Sequence, residues 1–230
     1  MEFLRENIER VRDRIGAAAR RRGRNPEDIT LVAVTKGVPA EIIEKGIELG
    51  LEHLGENRAQ EFLKKYPLLQ GKGVHWHFIG HLQRNKVRYI WDKVDLIHSV
   101  DSLRLAQELN RRALEGGRKI KILVQVNVAR EEGKFGVAPE DLLPLVRQMA
   151  SLEGLCIEGL MTLAPWLPDP EEVRPVFRRL YELSREVEAL SLPGVQMRYL
   201  SMGMSNDFEV AIEEGANLVR IGRAIFGKNT

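Results

Sequence analysis

Cysteine is almost missing from this chain: 230 residues contain one, Cys156. No disulfide can form within the chain, which fits a reducing compartment. Its neighbours Leu155 and Ile157 are apolar, so a buried structural thiol is expected. An excess of one charge is missing as well. The 35 basic and 33 acidic residues leave a formal charge of +2, and no strong field argues for nucleic acid. No apolar run approaches the ~20 residues of a membrane span. Charged residues begin at Glu2, so no secretory signal is visible, and N-x-S/T does not occur. A cytoplasmic location is the expectation. There is no Gly/Ser or Pro-rich tract and no shift in composition, which points to one domain over residues 1–230. The P-loop and Rossmann glycine patterns are absent, and Gly203-Met204-Ser205-Asn206-Asp207 is not the G-x-S-x-G elbow of hydrolases.

What is present is ordinary core-forming material, 43% hydrophobic and 30% charged, in a regular alternation. Residues 2 to about 23 carry Leu4, Ile8, Val11 and Ile15 at helical spacing. The Arg20–Arg24 cluster that follows reads as a solvated helix end, because cations suit a helix C-terminus and no aromatics interleave. Strand-like runs follow at Ile29–Thr35, His53–Gly55, Trp76–Ile79, Leu96–Val100, Ile120–Val128, Cys156–Met161, Met197–Leu200 and Leu218–Ile221. Helix-like segments separate them: Pro39–Leu49, about Asn57 to Tyr66, one from near Gln83, Ser102 to Gly116, Pro139–Ala150, Pro170–Leu190 and about Asn206 to Glu214. Strict β-α alternation implies parallel pairing with right-handed crossovers. Eight such units predict a compact α/β protein, a single (β/α)8 TIM-type barrel with an extra N-terminal helix. A doubly wound open sheet is the alternative.

The first strand-like run ends on Lys36, at the strand end where barrels place their chemistry. After the seventh run, Ser205 stands as a natural N-cap; after the eighth, Gly222 lets backbone approach a ligand. In barrels the loops after strands seven and eight commonly cradle a phosphate. An amine beside a phosphate cradle fits an aldehyde that carries a phosphate, and pyridoxal 5′-phosphate (PLP) is the obvious candidate. His75, His77 and His81 raise zinc as a weaker alternative, without a further ligand cluster in the sequence.

These residues carry a resemblance. Val34-Thr35-Lys36, Gly55-Glu56-Asn57-Arg58-Ala59-Gln60-Glu61, the run His75 to Lys86, Gly159-Leu160-Met161-Thr162, Leu200 to Asp207 and Val219-Arg220-Ile221-Gly222 resemble the pyridoxal phosphate homeostasis protein family, related in fold to the N-terminal barrel of alanine racemase. The resemblance implies Lys36 as the Schiff-base lysine. It implies Ser205, Gly222 and residue 223 as phosphate contacts, Arg220 near the pyridine nitrogen, and Asn57, His77 and Met202 around the pocket. Position 223 is often threonine in relatives and is Arg223 here; a backbone N–H contact survives that change and a hydroxyl contact does not. The expected function is to hold PLP for buffering or for delivery to PLP-dependent apoenzymes, as a monomer without efficient catalysis. The alternative is an amino-acid racemase, which needs a proton-transfer group on each face of its substrate. In alanine racemases one of these is a tyrosine from a C-terminal domain. This sequence ends at Thr230, just after the eighth unit, and the carrier reading is therefore preferred.

Overall fold

The structure, a computed structural model, describes residues 2–227. Residue 1 and residues 228–230, the ends of the expected 1–230 domain, lie outside the described residues. The eight strands form a closed, all-parallel barrel in sequence order: β1 (Thr30–Val34), β2 (His53–Glu56), β3 (His75–Phe78), β4 (Leu96–Val100), β5 (Ile120–Gln125), β6 (Leu155–Met161), β7 (Val195–Ser201) and β8 (Leu218–Ile221). Closure is made by β1 against β8, with Thr30 opposite Leu218 and Ala33 opposite Ile221. The open-sheet alternative is thereby excluded.

The outer ring comprises α2 (Ala40–Glu48), α3 (Ala59–Leu69), α4 (Val87–Ile90), α5 (Leu103–Glu115), α6 (Leu142–Met149), α7 (Arg174–Ala189), α8 (Phe208–Glu213) and α9 (Arg223–Phe226), preceded by α1 (Glu2–Arg21). Strands covered on both sides are apolar on both faces, and all five residues of β4 are buried. Two apolar layers result. Val32, Leu96, Leu123, Met161 and Leu218 fill the barrel interior with Tyr199 against them. A larger layer, including Phe62, Phe177 and Phe208, lies between strands and helices.

Helix α1 docks on the last units. Asn7 Nδ2 donates to the Ile225 carbonyl at 3.0 Å, Arg14 pairs with Glu209 at 2.8 Å and Arg21 with Glu213 at 2.7 Å. Arg24 donates to the carbonyls of Ile212 and Ala216 at 2.9 and 2.8 Å. The arginine-rich segment is thus only partly the solvated helix end expected from the sequence. Two of its arginines tie α1 to α8 and the chain that follows.

Several other expectations are corrected. The helix expected from Gln83 is a 3-10 turn, Arg84–Lys86, followed by the single turn α4. Strand β5 stops at Gln125 rather than Val128, and Val126 then bridges to Val137 within the loop that leaves the barrel. Helix α3 runs on to Leu69 with Pro67 inside it. Cys156 is half-buried rather than buried. It lies on β6 opposite Lys121, a residue that faces solvent.

Candidate functional site

Parallel closure brings the C-terminal strand ends to one mouth. Lys36 follows β1 there and is exposed; its Nζ has no hydrogen-bond or ion-pair partner among the described residues. The register that sets Ala33 opposite Ile221 carries the next positions of β1 up against the turn after β8. A Cβ on Gly222 would lie 3.2 Å from Val34 Cβ and 3.3 Å from the Val34 carbonyl oxygen, so a side chain there would wedge the two strand ends apart. Arg223 is the first residue of α9 and is exposed.

Ser205 is not the helix cap expected from the sequence. Asp207 holds that position, and its carboxylate accepts from the Met204 N–H at 2.6 Å. Burial pushes the Asp207 carboxyl above the usual range, against the Met204 hydrogen bond and the Arg220 charge. The Ser205 hydroxyl accepts instead from the Ala224 N–H at 3.3 Å. This joins the β7 loop to the β8 turn, beside the end of β1, which Lys36 follows.

Arg220 lies beneath this rim, 3% exposed. It donates to the Ser201 hydroxyl and to the Thr162 carbonyl at 2.8 Å, from β7 and from the residue after β6. Desolvation pushes its guanidinium down to about 10, against the pull of Asp207, so it is a cation at neutral pH. Two of its five N–H groups are used in these bonds.

From Ser201 a line of histidines crosses the barrel. The Ser201 hydroxyl is 2.9 Å from His98 Nδ1, His98 Nε2 is 2.8 Å from His77 Nδ1, and His77 Nε2 is 2.9 Å from His53 Nδ1. Desolvation, then the neighbouring rings of His53 and His75, push His77 down to about 3. His98 is held well below the ordinary value by burial first, then by His77 and Arg220. Both are therefore neutral, each with one donor and one acceptor. Because Arg220 donates to Ser201, one direction gives every group a partner. Ser201 donates to His98, His98 to His77, and His77 to His53. The line ends at His53, half-buried at the start of β2 and stacked on His75 at 4.9 Å.

The remaining candidates fall around these. Asn57 follows β2 beside a cavity that His81 and Lys86 also line; its Oδ1 is buried and has no partner among the described residues. His77 is beneath the mouth and offers no free ring nitrogen to it. The Met202 side chain is fully buried in the layer between strands and helices, so a contact from Met202 with a ligand in the mouth would have to come from its backbone. His75 and His81 do not join His77 in a metal site, and no group of three or more His, Cys, Asp or Glu suited to a metal occurs among the described residues. His81 stacks on Phe135 at 3.7 Å at the rim.

His53, His98, Ser201 and Thr162 were not expected as site residues. A signal for two of them was available: His53 and His98 lie, like His77, at positions of short apolar strands that alternation can turn inward.

Three features thus stand at the same end of the barrel. A free amine stands on one strand, a hydroxyl-bearing turn on the facing loops, and a buried cation with unused donors beneath. Residues 2–230 match the family model for the alanine racemase N-terminal domain. The pyridoxal phosphate homeostasis protein of Aquifex aeolicus is 48% identical over 223 residues, 97% of each chain. That of Escherichia coli K12 is 40% identical over 235 residues, 99% of this chain and 97% of its own. The structure of PipY from Synechococcus elongatus PCC7942 with PLP bound superposes with a TM-score of 0.85 at 34% identity, covering 97% of this chain and 100% of that one.

Proposed function

The chain belongs to the pyridoxal phosphate homeostasis protein family, within the alanine racemase N-terminal domain group, and from that premise we propose that it binds PLP as a Schiff base on Lys36 and serves as a carrier that buffers the cofactor or passes it to apoenzymes. The supporting observation is the β1–β8 closure, which sets the end of β1, just before Lys36, against the Gly222 turn that Ser205 joins through Ala224. Bound PLP supplies an aldehyde for the amine and an electron-withdrawing ring. In this reading Lys36 holds the aldehyde end. Ser205, Gly222 and the Arg223 backbone hold the phosphate, and Asn57 borders the ring. His77 and the Met202 backbone support the pocket from beneath and behind. Residues 1–230 act as a single domain, working as a monomer in the cytoplasm.

Arg220 is one feature that disfavours efficient racemisation. A cation facing the ring nitrogen leaves that nitrogen without a proton and the ring a weaker electron sink than a carboxylate partner would. Lys36-dependent racemisation at roughly 1 per second or faster would overturn the carrier reading.

The direct test is covalent. Protein incubated with PLP should show a visible band that borohydride abolishes, and peptide mapping should find the label on Lys36; Lys36→Ala should show neither. A label on another lysine, with the band intact in Lys36→Ala, refutes the assignment. Ser205→Ala removes one hydrogen bond to an anion and should weaken PLP retention about tenfold, or about 1.4 kcal/mol. Unchanged affinity in an equilibrium titration would move the phosphate elsewhere.

A further inference from the structure

Lys36 has no side-chain partner of its own among the described residues, so whatever aims it must act through the backbone. Both peptide groups that flank it are held by side chains from α3, and a carboxylate from β2 holds the Thr35 hydroxyl. The Thr35 carbonyl accepts from Lys65 Nζ at 2.7 Å and from the Val38 N–H at 2.9 Å. The Gly37 N–H donates to Glu61 Oε2 at 3.0 Å. The Thr35 hydroxyl donates to Glu56 Oε1 at 2.8 Å, and Lys65 bridges the two acids, 2.8 Å from Glu56 and 3.6 Å from Glu61. The Glu56 side chain is 0% exposed and that of Lys65 11%. The Gly37 hydrogen bond, with Lys65 and Arg58 nearby, holds the Glu61 carboxyl below the usual range against partial desolvation.

A structural role alone accounts poorly for this arrangement. Buried ion pairs seldom stabilise a fold more than apolar residues of the same shape, and α3 otherwise buries Phe62 and Leu69 at helical spacing. Every charge-bearing atom of the cluster that has a backbone partner bonds to a peptide group beside Lys36. We infer that Glu56, Glu61 and Lys65 are positioning residues that fix the Thr35–Gly37 turn and so present the Lys36 amine in one direction to a phosphate-bearing aldehyde. A pre-aimed amine pays less ordering entropy when it meets a carbonyl held at the other end. The inference rests on Lys36 being the amine that reacts.

The test compares two ligands on the full chain. PLP can form an imine, whereas pyridoxine 5′-phosphate, with an alcohol in place of the aldehyde, cannot. Glu61→Ala and the double variant Glu56→Gln/Lys65→Met, which keeps shape and removes both buried charges, should each slow borohydride-trappable imine formation at least tenfold. Both should leave pyridoxine 5′-phosphate affinity within twofold of the unmodified protein. Glu61→Gln, which keeps an acceptor for the Gly37 N–H, should restore the rate. In ligand-free protein, Glu61→Ala should raise hydrogen exchange at the Gly37 amide at least tenfold. Unmodified imine rates in the folded variants overturn the inference, as do equal losses for the two ligands. If the unmodified protein traps no imine on Lys36, the proposed function itself fails, a result distinct from either.

Discussion

Taking this protein from pH 7 to pH 5 should destabilise it by about 2 kcal/mol through His77 alone, with His98 adding in the same direction. His77 falls to about 3 in the folded barrel, through desolvation and then the rings of His53 and His75; in the unfolded chain it titrates near ~6.5. Between those values the unfolded state binds the extra proton and the folded state refuses it. Stability from His77 is therefore complete above about pH 6.5 and is lost at about 1.4 kcal/mol per unit as pH falls, reaching about 5 kcal/mol near pH 3. His98, fully buried and lowered by burial, His77 and Arg220, has the same sign. Ordinary carboxylates titrate mostly below this window, so the interval from pH 6.5 to 5 isolates the histidines. Urea unfolding at the two pH values measures the effect. His77→Gln, which keeps one donor and one acceptor, should lower stability at pH 7 and flatten the slope. A stability that stays level between pH 6.5 and 5 would mean that the buried line of rings does not exist as described.

The second large effect is in the barrel wall. Gly159→Ala should cost about 3–5 kcal/mol, a fall in Tm of about 10 °C for a domain of this size. Gly159 has φ +151°, and a Cβ on it would lie 1.9 Å from the Tyr199 carbonyl oxygen and 2.8 Å from its carbon. Those atoms belong to β7, which pairs with β6 at this point through a shift of register between Ile157 and Gly159. Relief requires breaking that pairing. The damage reaches the site, because Ser201 ends β7 and Thr162 follows β6, and both receive hydrogen bonds from Arg220. A variant that melts within 1 °C of the unmodified protein would show that the wall has more slack than this contact allows.

The two effects differ in how far the sequence foretold them. Eight apolar runs separated by helical segments were readable because strands buried on both faces are continuously apolar. Lys36, Ser205, Arg220 and Gly222 could be singled out because parallel topology sends the end of every strand to the same mouth. Ser205 and Asp207 are both competent caps, and only the packed loop shows that Asp207 stands at the cap position, its carboxylate turned back to the Met204 N–H. Arg220 and His77 are singled out by the sequence, and His53 and His98 carry a weak signal, but the line that connects them is not legible there. Its residues come from β8, β7, β4, β3 and β2, and the step from His98 to Ser201 spans 103 positions of sequence.

Local composition and hydrophobic period therefore determined the order of elements and the end of the barrel at which chemistry would stand, since both depend on neighbours along the chain. Closure of β1 on β8 decided the rest. It sealed histidines away from water, and the packing of α3 on the barrel turned Lys65, a residue that usually marks a solvent face, inward beneath Lys36. Burial and hydrogen-bond partners are properties of the closed surface, and no stretch of sequence contains them by itself.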